Sequence, residues 1–187
     1  MMSFDRFTER AQEATGRAFE VMQRYGHTQM DTEHILMALL EQSKGTVVQI
    51  LERLNVDVDV MREKLDADLK GTPRVAVATS IIQAAQVFAT PRVKRVIDRA
   101  NKEASELGDE YISTEHLFLA IVAERDGTSA RILNDAGVTR DKILAVLPDI
   151  RGGQKVTSRQ AESRYRTLEK YSRDLTQLAR EGKLDPV

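Results

Sequence analysis

The chain has 187 residues, is 41% hydrophobic and carries a formal charge of −1, which allows one domain or two small ones sharing a core and gives no global field to draw nucleic acid or membrane. It has no cysteine, which excludes disulfides and cysteine-ligated zinc. No run approaches the roughly 18 apolar residues of a membrane helix, and the start, MMSFDRFTER, lacks the pattern of a secretory signal, so a cytoplasmic location is expected.

Four prolines and a persistent 3.6-residue spacing of apolar side chains point to an almost all-helical chain. The first predicted helix starts at the N-cap Thr8 and buries Ala11, Ala14, Ala18, Met22 and Tyr25. It stops at Gly26, a residue suited to the left-handed position past a helix end. The second opens at Asp31 in DTEHILMALL, with Glu33 and His34 in its first turn. Residues 35–40 are apolar all round, so this helix is expected to be the most buried. The third follows Gly45-Thr46 and presents Val47, Ile50, Leu51 and Leu54. The fourth follows the cap Asp57 and is expected to end near Leu65. A connector, 66–89, comes next. Its stretch RVAVATSIIQAAQVF is more apolar than a free linker and is expected to pack on the surface, with some helix near Ser80–Phe88.

From residue 90 the same elements return. Shifting the sequence by 82 aligns 8–65 with 90–147 without a gap and gives 16 identities in 58 pairs. Unrelated sequences would give roughly 3 or 4, so the chain contains an internal repeat. Thr90-Pro91 opens the first helix of the second copy; its stripe is Val93, Val96, Ala100, Ala104 and Leu107, and Gly108 ends it. Ser113 opens the second helix in STEHLFLAIV, which repeats the Glu-His pair as Glu115 and His116. The third helix follows Gly127-Thr128 and presents Ile132, Leu133 and Ala136. The fourth follows Thr139 and is expected to end near Leu147. The expected fold is all-α: two four-helix repeats related by a pseudo-twofold axis within residues 1–150, plus a C-terminal linker helix.

After residue 150 the texture changes. RGGQKVTSRQ reads as a polar, glycine-containing hinge. AESRYRTLEKYSRDLTQLAREGK then reads as a polar helix with a thin stripe at Tyr165, Leu168, Tyr171, Leu175 and Leu178. Residues 151–187 hold nine Lys/Arg against five Asp/Glu, so the tail is +4 and the body −5. A thin stripe on such a helix calls for something to pack against.

The Glu-His pairs invite a metal or acid–base reading. Helical metal sites, however, place ligands three or four residues apart, and adjacent residues point roughly 100° apart. No metal site is expected; capping is the natural role for His34 and His116. Glu33 and Glu115, in a first turn, can also hold a cation or guanidinium. Thr8 and Thr90 are caps that can add an anion site, since each heads a helix with Arg10 or Arg92 nearby. No phosphate-binding loop, cysteine nucleophile or Gly-x-Ser-x-Gly elbow occurs, so neither catalysis by this chain nor a cofactor is expected. The basic tail is short and mixed in sign, which argues against nucleic acid as a partner.

RFTERAQEA, GHTQMDTEHILMALL, ATPRVKRVIDRANKEASELGDEYISTEHLFLAI and the terminal LEKYSRDLTQLAREGKLDPV together resemble the N-terminal region of Clp-type AAA+ unfoldases and disaggregases, the ClpC and ClpB group. The resemblance spans essentially the whole chain. It implies an N-domain over 1–150 without the ATPase modules, and over 151–187 a linker and the start of the first ATPase module. It implies adaptor proteins and unfolded substrates as partners, an ATPase ring supplied by the parent chain, and a monomeric isolated piece. In the ClpC branch the module binds phosphorylated arginine once per repeat. Carried over, Thr8 and Thr90 would meet the phosphate, and Glu33 and Glu115 the guanidinium. Phe4, Arg10, Arg92 and Lys94 would border these sites. The ClpB branch would instead grip exposed hydrophobic segments in an apolar groove between the halves. The sequence departs from the ClpC pattern at Ala89, where an aromatic is usual, and at Asp31, which puts a negative charge beside a proposed phosphate position. The linker looks ClpB-like, while the first repeat and the Thr-Pro-Arg motif lean to ClpC. A stand-alone helical scaffold or a nucleic-acid binder is the reading from another class.

Overall fold

The capping residues set the helices. In the structure, a computed structural model that describes residues 4–73 and 88–182, Thr8 caps α1 (Glu9–Arg24) and Asp31 caps α2 (Thr32–Glu41). Gly45 precedes α3 (Thr46–Arg53), and Asp57 caps α4 (Val58–Gly71). The second set is α5 (Pro91–Glu106) after Thr90, α6 (Thr114–Ala123) after Ser113, α7 (Thr128–Asp135) after Gly127 and α8 (Arg140–Arg151) after Thr139. Each helix of the second set starts 82 residues after its counterpart. Gly26 and Gly108 take the left-handed conformation expected at a helix end, with φ of 70° and 71°.

Three expectations need correction. The fourth helices run on past Leu65 and Leu147, to Gly71 and Arg151, because Leu69 and Ile150 continue the buried stripe. Ala136 is exposed and does not join Ile132 and Leu133 in the core. Residues 151–160 are not a free hinge. Val156 is fully buried, and its carbonyl accepts from the Glu110 and Tyr111 amides at 2.9 and 3.3 Å. Glu9 N donates to Arg159 O at 2.9 Å, tying this segment to the head of α1. The helix proposed near Ser80–Phe88 lies outside the described residues up to 87; residues Phe88–Ala89 form the short strand β2.

One core serves both halves. α2 and α6 are buried on nearly every face. α1 packs on α2 and α5 on α6, while α3 meets α8 and α4 meets α7 across the halves. Backbone exchange fastens the join. β2 pairs in parallel with β1 (Gln29–Met30), and Thr90 N donates to Met30 O at 3.0 Å. Thr8 N donates to Ile112 O at 2.9 Å, beside a parallel bridge between Phe7 and Ile112. Positions 8 and 90, and 30 and 112, are repeat equivalents, so the exchange is reciprocal. It sets the head of α5 beside the head of α2, and the head of α1 beside the head of α6.

The tail helix α9 (Ala161–Arg180) leaves from the α1/α6 side. Its first residues are seated: Ala161, Glu162 and Tyr165 are buried, and Tyr165 packs with Val156. Leu175 and Leu178, further along, are exposed. The stripe read from the sequence is therefore used at its start.

Candidate binding clefts

Both Glu-His pairs do capping work. The Asp31 amide donates to His34 Nδ1 at 2.9 Å, and the Ser113 amide to His116 Nδ1 at 2.8 Å. With Nδ1 accepting, the proton sits on Nε2. His116 Nε2 then donates to Asp109 at 2.7 Å, and His34 Nε2 donates to His27 Nδ1 at 2.8 Å. Burial, followed by the neighbouring His27, pushes His34 down to about 4, so His34 is neutral near pH 7.

The glutamates diverge. Glu115 is fully buried and holds the guanidinium of Arg151, with Nη2 and Nε at 2.8 and 3.0 Å from Oε1. Arg151 also pairs with Asp109 at 3.0 Å. The position equivalent to 151 in the first half is Leu69, and that of Asp109 is His27. Glu33 consequently has no ion pair among the described residues. Its Oε1 accepts from Ser129 N at 3.1 Å and Thr32 Oγ1 at 3.3 Å. It lines an open cleft of about 510 Å³ with Asp31, Asp68, Leu69, Thr90 and Arg92.

The threonines meet carboxylates. At the joined heads of α2 and α5, Asp31 Oδ1 accepts from Thr32 N at 2.7 Å and Thr90 Oγ1 at 3.2 Å. Arg92 Nε lies 3.2 Å from the same oxygen. The Arg92 guanidinium needs Gly127 opposite it, since a Cβ there would fall 1.9 Å from Nη1. At the joined heads of α1 and α6, Ser113 replaces Asp31, and the carboxylate comes from Glu162 on α9. Thr8 Oγ1 donates to Glu162 Oε1 at 2.6 Å and Thr114 N donates to it at 3.1 Å; Thr114 Oγ1 donates to Oε2 at 2.6 Å. Burial, and then the charge of Glu115, push the Glu162 carboxyl up to about 7.

Two helix N-termini aimed at one point favour negative charge, and in each half the chain supplies it. Of the residues singled out from the sequence, Glu33, Thr90 and Arg92 share one cleft, which spans both repeats instead of lying within one. Thr8 and Glu115 are buried beside the root of α9. Phe4 lies elsewhere, in an apolar groove, edge-on to Phe7 at 5.0 Å. Arg10 pairs with Glu13 at 3.3 Å, and Lys94 is exposed and lines neither the cleft nor the groove. Arg151 and Glu162 were missed because the repeat alignment ends at 147. Extending it by four residues would have shown Arg151 opposite Leu69. Among the described residues there is no cluster of three or more metal-ligating side chains, and no helix is long and apolar enough to cross a membrane.

An all-helical body of two four-helix sets that share one core, with helix heads paired across the halves, defines the class of fold. Residues 6–136 match the Clp repeat (R) N-terminal domain family, and the chain belongs to it. It is 38% identical over 187 residues to the chaperone protein ClpB of Nitratidesulfovibrio vulgaris, covering 100% of this chain and 21% of that protein. It is 39% identical over 184 residues to ClpB of Gloeobacter violaceus, covering 98% and 20%. The chain thus spans about a fifth of the length of these curated relatives. They stand on the ClpB side, where the linker pointed, and not on the ClpC side, where the first repeat leaned. The fold is also that of the Hsp104 N-terminal domain from Candida albicans, with a TM-score of 0.70 at 21% identity over 84% of this chain and 99% of the other. A ClpV N-domain solved in complex with a VipB peptide has a TM-score of 0.60 at 17% identity, over 78% and 86%.

Proposed function

We infer that this chain is the substrate- and adaptor-recognition part of an ATP-dependent Clp-type chaperone and grips exposed apolar segments of unfolded proteins. The observation that carries this is the groove between the halves, about 750 Å³, lined by Phe4, Phe7, Phe19, Ile35, Ile97 and Leu117. Phe4, Phe19 and Ile97 are only partly buried, so apolar area remains for an occupant to remove from water. A peptide bound to an N-domain of the same fold, in the ClpV–VipB complex, supports a polypeptide as that occupant. ATP hydrolysis is assigned to other parts of a longer protein, in keeping with the length of the relatives. The test is binding of a reduced, alkylated polypeptide to the chain and to a Phe19→Ser/Ile97→Ser variant. Affinity should fall at least tenfold while the melting temperature holds; unchanged affinity overturns the groove reading.

A second reading, recognition of phosphorylated arginine, is favoured by the Arg151–Glu115 pair, in which a guanidinium already sits on one of the two glutamates. Glu33, without an ion pair among the described residues, offers the same carboxylate to an outside guanidinium. The phosphate half requires Asp31 or Glu162 to give way. Titration of phosphoarginine against the chain and against Glu33→Ala decides: saturable binding lost in the variant supports it, and absent or unaltered binding ends it.

A further inference from the structure

The peptide unit between Met30 and Asp31 is held at both ends. Its N–H donates to His34 Nδ1 at 2.9 Å, and its C=O accepts from Thr90 N at 3.0 Å, the contact that fastens the head of α5 to the first half. One histidine ring therefore steadies a joint between the halves. That ring is in turn held by a second histidine, since His34 Nε2 donates to His27 Nδ1 at 2.8 Å. The relay fixes both tautomers. His34 Nδ1 accepts, so its proton is on Nε2; His27 Nδ1 then accepts, so its proton is on Nε2 as well. The His27 Nε2–H is buried without a hydrogen-bond partner among the described residues. Opening the pair to water gives that donor a partner.

A further proton has no seat in this arrangement. On His34 Nδ1 it meets the Asp31 N–H; on His27 Nδ1 it meets the His34 Nε2–H. Either way a link of the relay breaks. The second half can take the same proton. Its Ile112–Ser113 peptide is held alike, by His116 Nδ1 at 2.8 Å and Thr8 N at 2.9 Å. There, however, Asp109 stands in the place of His27, 2.7 Å from His116 Nε2, and the Ser113 hydroxyl lies 2.9 Å from Nδ1. An imidazolium at that position has a carboxylate and a hydroxyl to donate to. Around the first pair, the titratable and charged groups are Tyr25 on α1, whose ring stacks on His27 at 6.0 Å, and Asp31 at the head of α2. Glu33 on α2, Asp68 on α4 and Arg92 on α5 line the same cleft.

We propose that His27 and His34 form an acid-sensitive latch on the joint between the halves: a proton taken up by the pair releases the Met30–Asp31 peptide and loosens the wall that the cleft and the groove share. Thr28, Gln29 and Asp31 line the cleft, while Met30 and Ala89 line the groove, so both surfaces change together. The latch does not depend on what either surface binds. Burial first, and then His27, hold His34 near 4, below the ordinary value of about 6.5 that it regains when the loop opens. The closed joint is thus fully favoured above about 6.5 and loses ground as the pH falls toward 4. Between pH 7.5 and 5.5 the open population rises about tenfold.

Amide exchange of the 187-residue chain, corrected for intrinsic rate and followed by NMR at pH 7.5 and 5.5, tests this. The Asp31 and Thr90 amides should quicken about tenfold at the lower pH, and the Met30 and Ala89 methyl signals should shift with them. The Thr8 amide, the counterpart of Thr90 at the other joint, should not quicken. In His27→Gln/His34→Gln, where glutamine can keep the cap without titrating, the corrected rates at Asp31 and Thr90 should be equal at both pH values. A second measurement needs no variant: the imidazole nitrogen shifts of His27 and His34 should both report Nε2–H at pH 7.5 and should change with the same midpoint as the exchange. Rates at Asp31 and Thr90 that ignore pH, an acceleration that persists in the double variant, or equal acceleration at Thr8 overturns the proposal. A proton on Nδ1 of either ring at pH 7.5 overturns it too.

Discussion

Arg151 occupies the place where the first half has Leu69, and that one exchange changes the chemistry of a whole end of the molecule. With arginine, Glu115 and Asp109 are neutralised inside the protein; with leucine, Glu33 is left facing an open cleft. Removing one member of a buried charge cluster leaves the others unpaired. Arg151→Ala should therefore destabilise the fold by about 3–5 kcal/mol in urea denaturation, and Leu69→Ala should not perturb any ion pair. Glu162 gives a pH dependence. Facing it are Glu115 and Thr114 on α6, Thr8 at the head of α1 and Tyr165 on α9. Its docked carboxyl is raised to about 7, above the ordinary value of about 4.3 it regains when undocked. Docking of α9 is thus favoured most below the ordinary value, weakens as pH rises to about 7 and levels off above. Exchange at Glu110 and Tyr111, corrected for intrinsic rate, should quicken across that window; in Glu162→Gln it should not.

At the scale of elements, caps and stripes did the work that local physics allows. Thr8, Asp31, Asp57, Thr90, Ser113 and Thr139 start helices as their side chains require, and Gly26 and Gly108 stop them. The ends of α4 and α8 were less legible, because no glycine or proline marks Leu65 or Leu147 and the buried stripe simply continues. The 151–160 segment misled for a different reason. Its composition is that of a loop, but one residue, Val156, finds a buried place next to Ala161 and Tyr165. Val156→Ala should cost this docking about 1.5 kcal/mol, roughly tenfold faster exchange at Glu110 and Tyr111, with little change in global melting. Leu175→Gln with Leu178→Gln should leave melting unaltered, since both side chains already meet water.

For the whole molecule, the repeat suggests two bundles, yet the core is continuous across α2 and α6, and α3 and α4 pack on helices of the other copy. Neither half can bury its apolar faces alone. Unfolding should accordingly be one transition. Leu36→Ala in the first copy and Leu119→Ala in the second, both at fully buried positions, should each lower that single transition by about 2–5 kcal/mol. Calorimetry with coincident circular dichroism and fluorescence changes checks it; two separable transitions would contradict a shared core. The amino-acid sequence by itself determined the helices, their caps, the 82-residue repeat and the family resemblance, because spacing and capping act between residues a few positions apart. It also carried the candidates Glu33, Thr90 and Arg92, which the fold gathers into one cleft. Only the tertiary structure decided that helix heads pair across the repeats, that Glu162 reaches one pair while Arg151 reaches Glu115, and that Asp31 holds the other. Those outcomes depend on contacts between residues 36 to 154 positions apart, and no local pattern encodes which distant charge will arrive.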